Sequence, residues 1–215
     1  LSSQIMIEDF LRALLGIPPG ATRINKDLAI MRQLTKPVAD ELIPWEDENE
    51  LELMALKMEV KSHKRGMDRI LMGTIQSIYV EPMITFAYMD YVKGSREALL
   101  YCRSRNLEIV YRIKSKAVDV FLNGNQVAII DQENIIYGLK SRSALGRVKP
   151  YSADLLSIFI LDREAGHLFN PLRPHTEIQR AFFLMTKLSE EEGRIFLTLG
   201  LYEMITRMLV NKKKK

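Results

Sequence analysis

The C-terminal segment SEEEGRIFLTLGLYEMITRMLVNKKKK, residues 189–215, constrains the fold of this chain more than any other stretch. Ser189 and Glu192 have the spacing of a capping box, and the consecutive glutamates suit the positive end of a helix dipole. From residue 195 to residue 210, apolar side chains surround most of the helix circumference. A helix of this kind has to be buried, either in protein or in lipid.

The apolar part of this helix is shorter than a membrane span. Residues 195–210 are fewer than the roughly 20 residues that cross a hydrocarbon core. Glu203 and Arg207 lie one helical turn apart within this part, and we predict that they form a structural ion pair inside or at the mouth of the protein. The sequence therefore predicts a helix enclosed by other elements and no transmembrane segment, with a membrane anchor as the less favoured alternative.

The chain between residues 51 and 170 has the pattern of a strand-rich domain. Short runs of valine, isoleucine and aromatic residues alternate with turn sequences such as HKRGMD, VKGSR and NGN. Regularly spaced short strands with tight turns are typical of an antiparallel meander that forms a sandwich or a barrel. Without a long helix between the runs, a parallel α/β fold is disfavoured.

The first part of the chain has helical spacing instead. Gly16 and the PPG of residues 18–20 end a first predicted helix, Asn25 begins a second, and the acidic segment TKPVADELIPWEDENE follows as a connector. We expect a helical arm and connector at 1–48, a β-barrel with a central C-terminal helix at 49–211, and a basic tail at 212–215. The shared apolar face of the first helix consists of Ile7, Phe10, Leu11, Leu14 and Leu15.

This organisation resembles the Tubby C-terminal-like superfamily, which includes phospholipid scramblases and the LURP-one-related proteins. The resemblance is carried by the hairpins VFLNGNQVAII and FILDREAGHLF, the intervening ALGRVK, and the helix at 189–210. It implies a β-rich α+β fold, in which a closed antiparallel β-barrel encloses the C-terminal apolar helix. It also implies binding to lipid headgroups or to a membrane surface.

The charge of the chain is concentrated at its C-terminus. Lysine and arginine number 31 against 27 acidic residues, and four of these lysines are the last four residues, so the remainder is balanced. Such a balance disfavours a nucleic-acid-binding protein, which usually has a basic excess over a whole face. Cys102 is the only cysteine, which favours a reducing compartment, so we expect a cytoplasmic protein that is peripheral to a membrane if it binds one.

Motifs for catalysis are missing from the sequence. It has no glycine-rich phosphate loop, no G-x-S-x-G and no paired acidic motif, and His63, His167 and His175 lack metal-ligand spacing. Cys102 is interpreted as an ordinary half-buried thiol. We therefore predict that the protein is not an enzyme and that it binds no metal or cofactor.

Basic residues concentrate in the predicted turns. If several of these turns meet at one end of the barrel, they would attract phosphate groups or an anionic membrane, whereas the alternative is a set of solvated turns. We therefore predict a non-catalytic binding module for anionic lipid headgroups or membrane surfaces. The second hypothesis is a protein-interaction or scaffold subunit whose N-terminal arm docks on a partner or on its own barrel. The candidate ligand-binding residues are Lys61, Lys64, Arg65, Arg112, Lys114 and Lys116.

Overall fold

The computed structural model describes residues 20–45, 47–65, 68–91, 97–173 and 178–212. Helix α1 spans Ala21–Ala39, and a 3-10 helix spans Glu48–Leu53. Twelve strands follow, and helix α2 spans Glu190–Lys212. The strands are β1 Met54–Arg65, β2 Asp68–Ser77, β3 Pro82–Asp90, β4 Ala98–Arg103, β5 Glu108–Ile113, β6 Val118–Leu122, β7 Asn125–Ile130, β8 Ile135–Gly138, β9 Ala144–Pro150, β10 Leu155–Ile160, β11 Arg163–Phe169 and β12 Phe182–Leu184.

The twelve strands form a nearly closed antiparallel barrel. Each strand pairs with its neighbour in the sequence, so the order in the sheet is the order in the chain. The first strand meets the segment before the last one through an antiparallel bridge between Ala55 and Arg180. Leu56 N donates to Gln179 O at 2.8 Å, and Ala181 N donates to Met54 O at 2.7 Å. These bonds confirm the predicted barrel class.

The β6–β7 hairpin shows how local sequence sets the strand connections. Asn123 and Gly124 both have positive φ angles, 48° and 84°. Two consecutive residues of this kind are characteristic of a type I′ turn, which prefers Asn-Gly and matches the twist of the flanking strands. The NGN sequence therefore fixes this hairpin.

Helix α2 fills the interior of the barrel. Its Phe196, Leu201 and Met204 have no exposed surface and belong to one continuous core with the inward-facing residues of the strands. The ring of Phe196 meets that of Phe182 edge to face at 5.4 Å between centroids. The hydroxyl of the buried Tyr111 donates to the carbonyl oxygen of Thr198 at 2.7 Å. The prediction of a helix enclosed by strands is thus confirmed.

The capping box at the start of α2 is also present. The amide of Ser189 donates to Glu192 Oε2 at 2.8 Å, and the amide of Glu192 donates to Ser189 Oγ at 3.3 Å. These bonds, together with the Arg163 guanidinium, hold the pKa of Glu192 below its ordinary value. The helix therefore begins where its sequence predicts.

Helix α1 packs on the outer face of β2, β3 and β4. Ile24 and Met31 form a second apolar core with outward-facing barrel residues such as Ala87 and Met89. Residues 83–89 of β3 are therefore buried without alternation, because α2 covers one face of this strand and α1 covers the other.

The bounds of α1 differ from the predicted ones. The helix begins at Ala21 rather than Asn25, and it continues through Pro37 to Ala39, where the sequence predicts a connector. Proline normally ends a helix, but here it lies in the last turn, where it removes a single backbone bond. The buried Thr35 and the half-buried Leu34 and Val38 hold this turn against the barrel, which outweighs the lost bond. Packing against the barrel therefore extends α1 beyond the point at which Pro37 predicts its end.

The barrel has two ends that differ in their connections. We call the end with the β1–β2, β3–β4 and β5–β6 connections the upper end, and the opposite end the lower end. Helix α2 begins at the lower end, where Arg163 at the start of β11 donates to Glu192 at 2.5 Å. It then passes Tyr111 in mid-barrel and ends toward the upper end at Lys212.

Neither α1 nor α2, as far as each is described, has the combined length and hydropathy to cross a bilayer as a helix.

Candidate anion-binding surface

The six predicted ligand-binding residues lie on two hairpins of the upper end. Lys61, Lys64 and Arg65 belong to β1, whereas Arg112 is in β5 and Lys114 and Lys116 follow it. Four strand spacings of about 4.8 Å separate these two hairpins, which is about 19 Å along the sheet. The basic turns therefore share one end of the barrel as parts of a rim, and they do not meet in a single pocket.

Three of these six residues already have partners. Arg65 Nη1 donates to Asp27 Oδ1 of α1 at 3.0 Å, and Lys114 forms an ion pair with Asp119. Arg112 is half-buried and interacts electrostatically with Tyr91. Arg65 and Lys114 are therefore bound within the fold, and Arg112 is less accessible than the exposed lysines, so these three cations are less available to a ligand.

Asp27 is the centre of the contact that ties α1 to the β1–β2 hairpin. Only 2% of its surface is exposed, and it lies between Arg65 and Arg23, which also donates to Asp68. Burial raises the pKa of the Asp27 carboxyl, although both guanidinium groups act in the opposite direction. Removing the guanidinium of Arg65 would leave the buried carboxylate of Asp27 with less compensation for its charge. The role of Arg65 is therefore structural.

The other three residues, Lys61, Lys64 and Lys116, are exposed. None of them forms an ion pair with any residue in the described part of the chain. They are the cations of the predicted set that remain free to meet an anion.

The register of the β1–β2 hairpin adds a residue that the sequence analysis missed. Lys64 lies directly opposite Arg69, and both are exposed. Arg69 Nε donates to Ser62 Oγ at 2.7 Å, and no carboxylate within the described ranges forms an ion pair with it. Like charges directly opposite one another destabilise a strand pair. An anion bound between Lys64 and Arg69 would relieve that repulsion.

Several carboxylates of the upper end are occupied by contacts of their own. Asp68 is bound to Arg23, Asp119 to Lys114 and Asp154 to Arg173. Asp131 accepts the backbone amides of Glu133 and Ile135 in its turn. These acids therefore compete little with an external anion for Lys64, Arg69 and Lys116.

Glu203 and Arg207 form an ion pair toward the upper mouth of the barrel. Arg207 Nε donates to Glu203 Oε2 at 2.5 Å. The Glu203 side chain is only 5% exposed and that of Arg207 is 30% exposed, so the carboxylate lies inside and the guanidinium reaches outward. The guanidinium therefore neutralises a charge that the barrel interior would otherwise have to hold alone.

We expect Arg207→Ala to lower the free energy of unfolding by about 1–3 kcal/mol, because it leaves the buried Glu203 without its partner. Chemical denaturation of the purified protein measures this loss. Arg194→Ala is the matched control, because Arg194 pairs with Glu190 at the same spacing on the same helix but is exposed. That variant should lose less than about 0.5 kcal/mol.

A double variant distinguishes the cost of an unpaired buried charge from the loss of the packing contacts of Arg207. Glu203→Gln combined with Arg207→Ala should recover part of the lost stability, because no charge is then buried without a partner. Equal losses for Arg207→Ala and Arg194→Ala would contradict a structural role for this pair.

The potential catalytic residues have ordinary surroundings. Cys102 is completely buried, and burial raises the pKa of its thiol. The Nδ1 atom of His167 lies 3.2 Å from Ser157 Oγ and 3.8 Å from Glu164 Oε1, so both partners contact the same ring nitrogen. A catalytic triad instead uses the two nitrogens separately. His63 is exposed, and His175 lies outside the described residues.

The described ranges contain no group of three histidine, cysteine or acidic residues that could hold a metal ion.

Comparison with known proteins gives no match to a family model, to a curated protein or to a solved structure. The fold and the surface charges of this chain are therefore the basis for inferring its function. They define a β-barrel that encloses a helix and carries cations on one rim.

Proposed function

We propose that this protein is a non-catalytic binding module that contacts anionic lipid headgroups at a membrane surface through the upper rim of its barrel. The observation that carries this proposal is the exposed pair of Lys64 and Arg69, which face each other across β1 and β2 without an acidic partner among the described residues. Lys116 extends the same rim. Residues 213–215 of the predicted basic tail lie outside the described residues, but α2 leads toward this end.

We also propose that the chain is related to the Tubby C-terminal-like superfamily. The support for this relation is the nearly closed antiparallel barrel around a C-terminal helix, which is the architecture that the resemblance implies.

Binding to vesicles tests the lipid proposal. At low salt, the protein should bind phosphatidylcholine vesicles that contain phosphatidylserine, and it should bind pure phosphatidylcholine poorly. Binding should weaken steeply with added salt, because exposed charges are screened over about 8 Å at physiological ionic strength. Removing residues 212–215 should weaken it further, since each lysine near an anionic surface contributes about 1 kcal/mol.

The double substitution Lys64→Gln and Arg69→Gln tests the rim itself. It should reduce vesicle affinity about thirtyfold at low salt, on the basis of about 1 kcal/mol for each cation. Because it removes a like-charge repulsion, it should leave the melting temperature unchanged or raise it. If the melting temperature is not lowered, unfolding does not account for weaker binding to vesicles.

The matched control is Lys140→Gln with Arg142→Gln, which removes the same charge from the β8–β9 turn of the lower end. This control should bind like the unmodified protein. Equal losses in the two variants, or equal binding to anionic and neutral vesicles at low salt, would contradict the proposal.

A protein-interaction module is the second candidate function. It is favoured by two exposed aromatic residues, Tyr151 directly after β9, which is 66% exposed, and Phe183 of β12, which is 52% exposed. Their rings lie on either side of His167, with centroid distances of 5.1 and 6.3 Å. Replacing Tyr151 and Phe183 by serine should leave vesicle binding unchanged and abolish capture of a protein partner, if this face is the functional surface.

A further inference from the structure

An apolar groove of about 360 Å³ lies between α1 and the outer face of β4, β5 and β6. Its volume is within the range of about 300–1,000 Å³ that is typical of small-molecule sites, which are mostly apolar with a few polar groups. The apolar residues of its lining are Ile24, Leu28, Leu99, Val110 and Phe121.

The two charged residues that line this groove, Arg32 and Arg112, are both cations. Arg32 is held by Glu108, whose carboxylate accepts from its Nε at 3.0 Å. Glu108 and Arg112 are four residues apart on β5, about 13 Å along the strand, so the two guanidinium groups border different parts of the groove. Arg112 lies opposite Asp119 in the β5–β6 register, and the carboxylate of Asp119 binds Lys114. The groove therefore combines an apolar surface with a cation whose neighbouring carboxylate has another partner.

We propose that this groove binds a single-chain anionic amphiphile, with the hydrocarbon chain on the apolar lining and the carboxylate on Arg112. Charge complementarity is the reason for an anionic ligand, because both charged lining residues are arginines. Arg112 also interacts electrostatically with Tyr91, but a guanidinium has five N–H donors and can bind a carboxylate in addition.

This inference is independent of the proposed membrane contact of the upper rim. Arg112 is half-buried, so it is less accessible to a flat anionic surface than the exposed lysines are, but it borders the groove that a narrow chain would enter. The predicted first helix falls within residues 1–19, which lie outside the described residues, and it has no part in the inference. Each of the two proposals can therefore fail without the other.

The groove on the other side of α1 does not have the same combination of groups. It has a volume of about 330 Å³, and its lining includes Glu41 and Glu59 as well as Lys61. A carboxylate bound there would be repelled by the two acidic side chains. We therefore assign the anionic amphiphile to the first groove.

Binding of decanoate to the purified protein tests the proposal, with isothermal titration calorimetry below the micelle concentration as the measurement. We expect one decanoate to bind per chain. Hexanoate keeps the carboxylate but lacks four methylene groups, and it should bind weaker by about tenfold or more, because each buried methylene contributes up to about fourfold in affinity. Undetectable binding of decanoate, or equal affinities for the two carboxylates, would overturn the proposal.

Arg112→Gln tests the recognition of the carboxylate. This variant should bind decanoate about tenfold more weakly, because the charge-assisted hydrogen bonds to the carboxylate are lost. It should bind decanol, which has the same chain without the charge, within about twofold of the unmodified protein. The matched control is Lys116→Gln, which removes one charge from an exposed position after β5 that does not line the groove. Equal losses of decanoate affinity in the two variants would show that Arg112 does not hold the carboxylate.

Leu28→Trp tests the site of the hydrocarbon chain. Leu28 is half-buried on α1, and a larger side chain at this position fills part of the groove. The variant should bind decanoate and decanol alike about tenfold more weakly or less. Leu34→Trp is the matched control, because Leu34 is also half-buried on α1 but lines the other groove. Equal losses in the two tryptophan variants would contradict the assignment to the first groove.

Methyl NMR of the unmodified protein gives a readout that does not depend on the folding of a variant. On titration with decanoate, the largest chemical-shift changes should fall on the methyl groups of Leu28, Leu99 and Val110, which line the groove. The methyl groups of Leu34 should change little, because this residue lies in the other groove. If the largest changes fall on residues outside the first groove, decanoate binds elsewhere and the proposal is wrong.

Discussion

Deleting residues 189–210 is expected to make the protein insoluble. These residues include most of α2, whose side chains fill the barrel, so their loss exposes the inward-facing residues of the strands to water. The buried surface of a central helix cannot be replaced by collapse of a twelve-stranded wall, and an open apolar interior aggregates. The soluble fraction after expression without detergent measures this effect.

The same deletion distinguishes an enclosed helix from a membrane anchor. Removing an anchor should move the protein from membranes into the soluble fraction, which is the opposite of the expected result. Removing residues 213–215 alone is the control, and this truncation should remain as soluble as the full chain. A soluble, folded protein that lacks residues 189–210 would show that the helix does not hold the barrel together.

Phe196→Ala is expected to lower the free energy of unfolding by about 3–5 kcal/mol. Phe196 has no exposed surface, and its ring packs edge to face against Phe182 in the centre of the barrel. Truncation removes this buried surface and leaves a cavity that the surrounding strands cannot close. For a domain of this size, the melting temperature should fall by about 10 °C or more, as differential scanning calorimetry would show.

The chain offers a control of the same residue type. Phe183 is adjacent to Phe182, but it faces outward and is 52% exposed. Phe183→Ala should change the unfolding free energy by less than about 1 kcal/mol, because little apolar surface is removed from a buried site. Comparable losses in the two variants would contradict the placement of α2 inside the barrel.

Features that depend on neighbouring residues in the sequence could be predicted. The capping box of Ser189 and Glu192, the Asn123-Gly124 turn and the enclosed apolar helix all carry their own local signals. The strand-rich pattern begins at residue 51, but residues 51–53 belong to the 3-10 helix Glu48–Leu53, because apolar residues in a short run do not distinguish a strand from a helical turn.

Features that depend on distant contacts could not be predicted. The sequence shows that Lys64 and Arg69 are basic, but only the register of β1 and β2 shows that they face each other. The partners of Arg65 and Lys114 depend likewise on where α1 and β6 lie in the fold. Sequence patterns therefore identify the basic turns, and the three-dimensional contacts decide which of their charges are free.

The connection of every strand to its sequence neighbour also determines how the protein can be assembled on the ribosome. Hairpins between adjacent strands can form as each pair emerges, since their contacts are local. The seam between Ala55 and Arg180 and the central helix both depend on residues that are translated after β11. Until then, the nascent strands form a sheet that is not closed into a barrel and whose apolar inner face is not covered by α2. We therefore expect stalled or truncated products of this chain to bind chaperones that shield apolar surface.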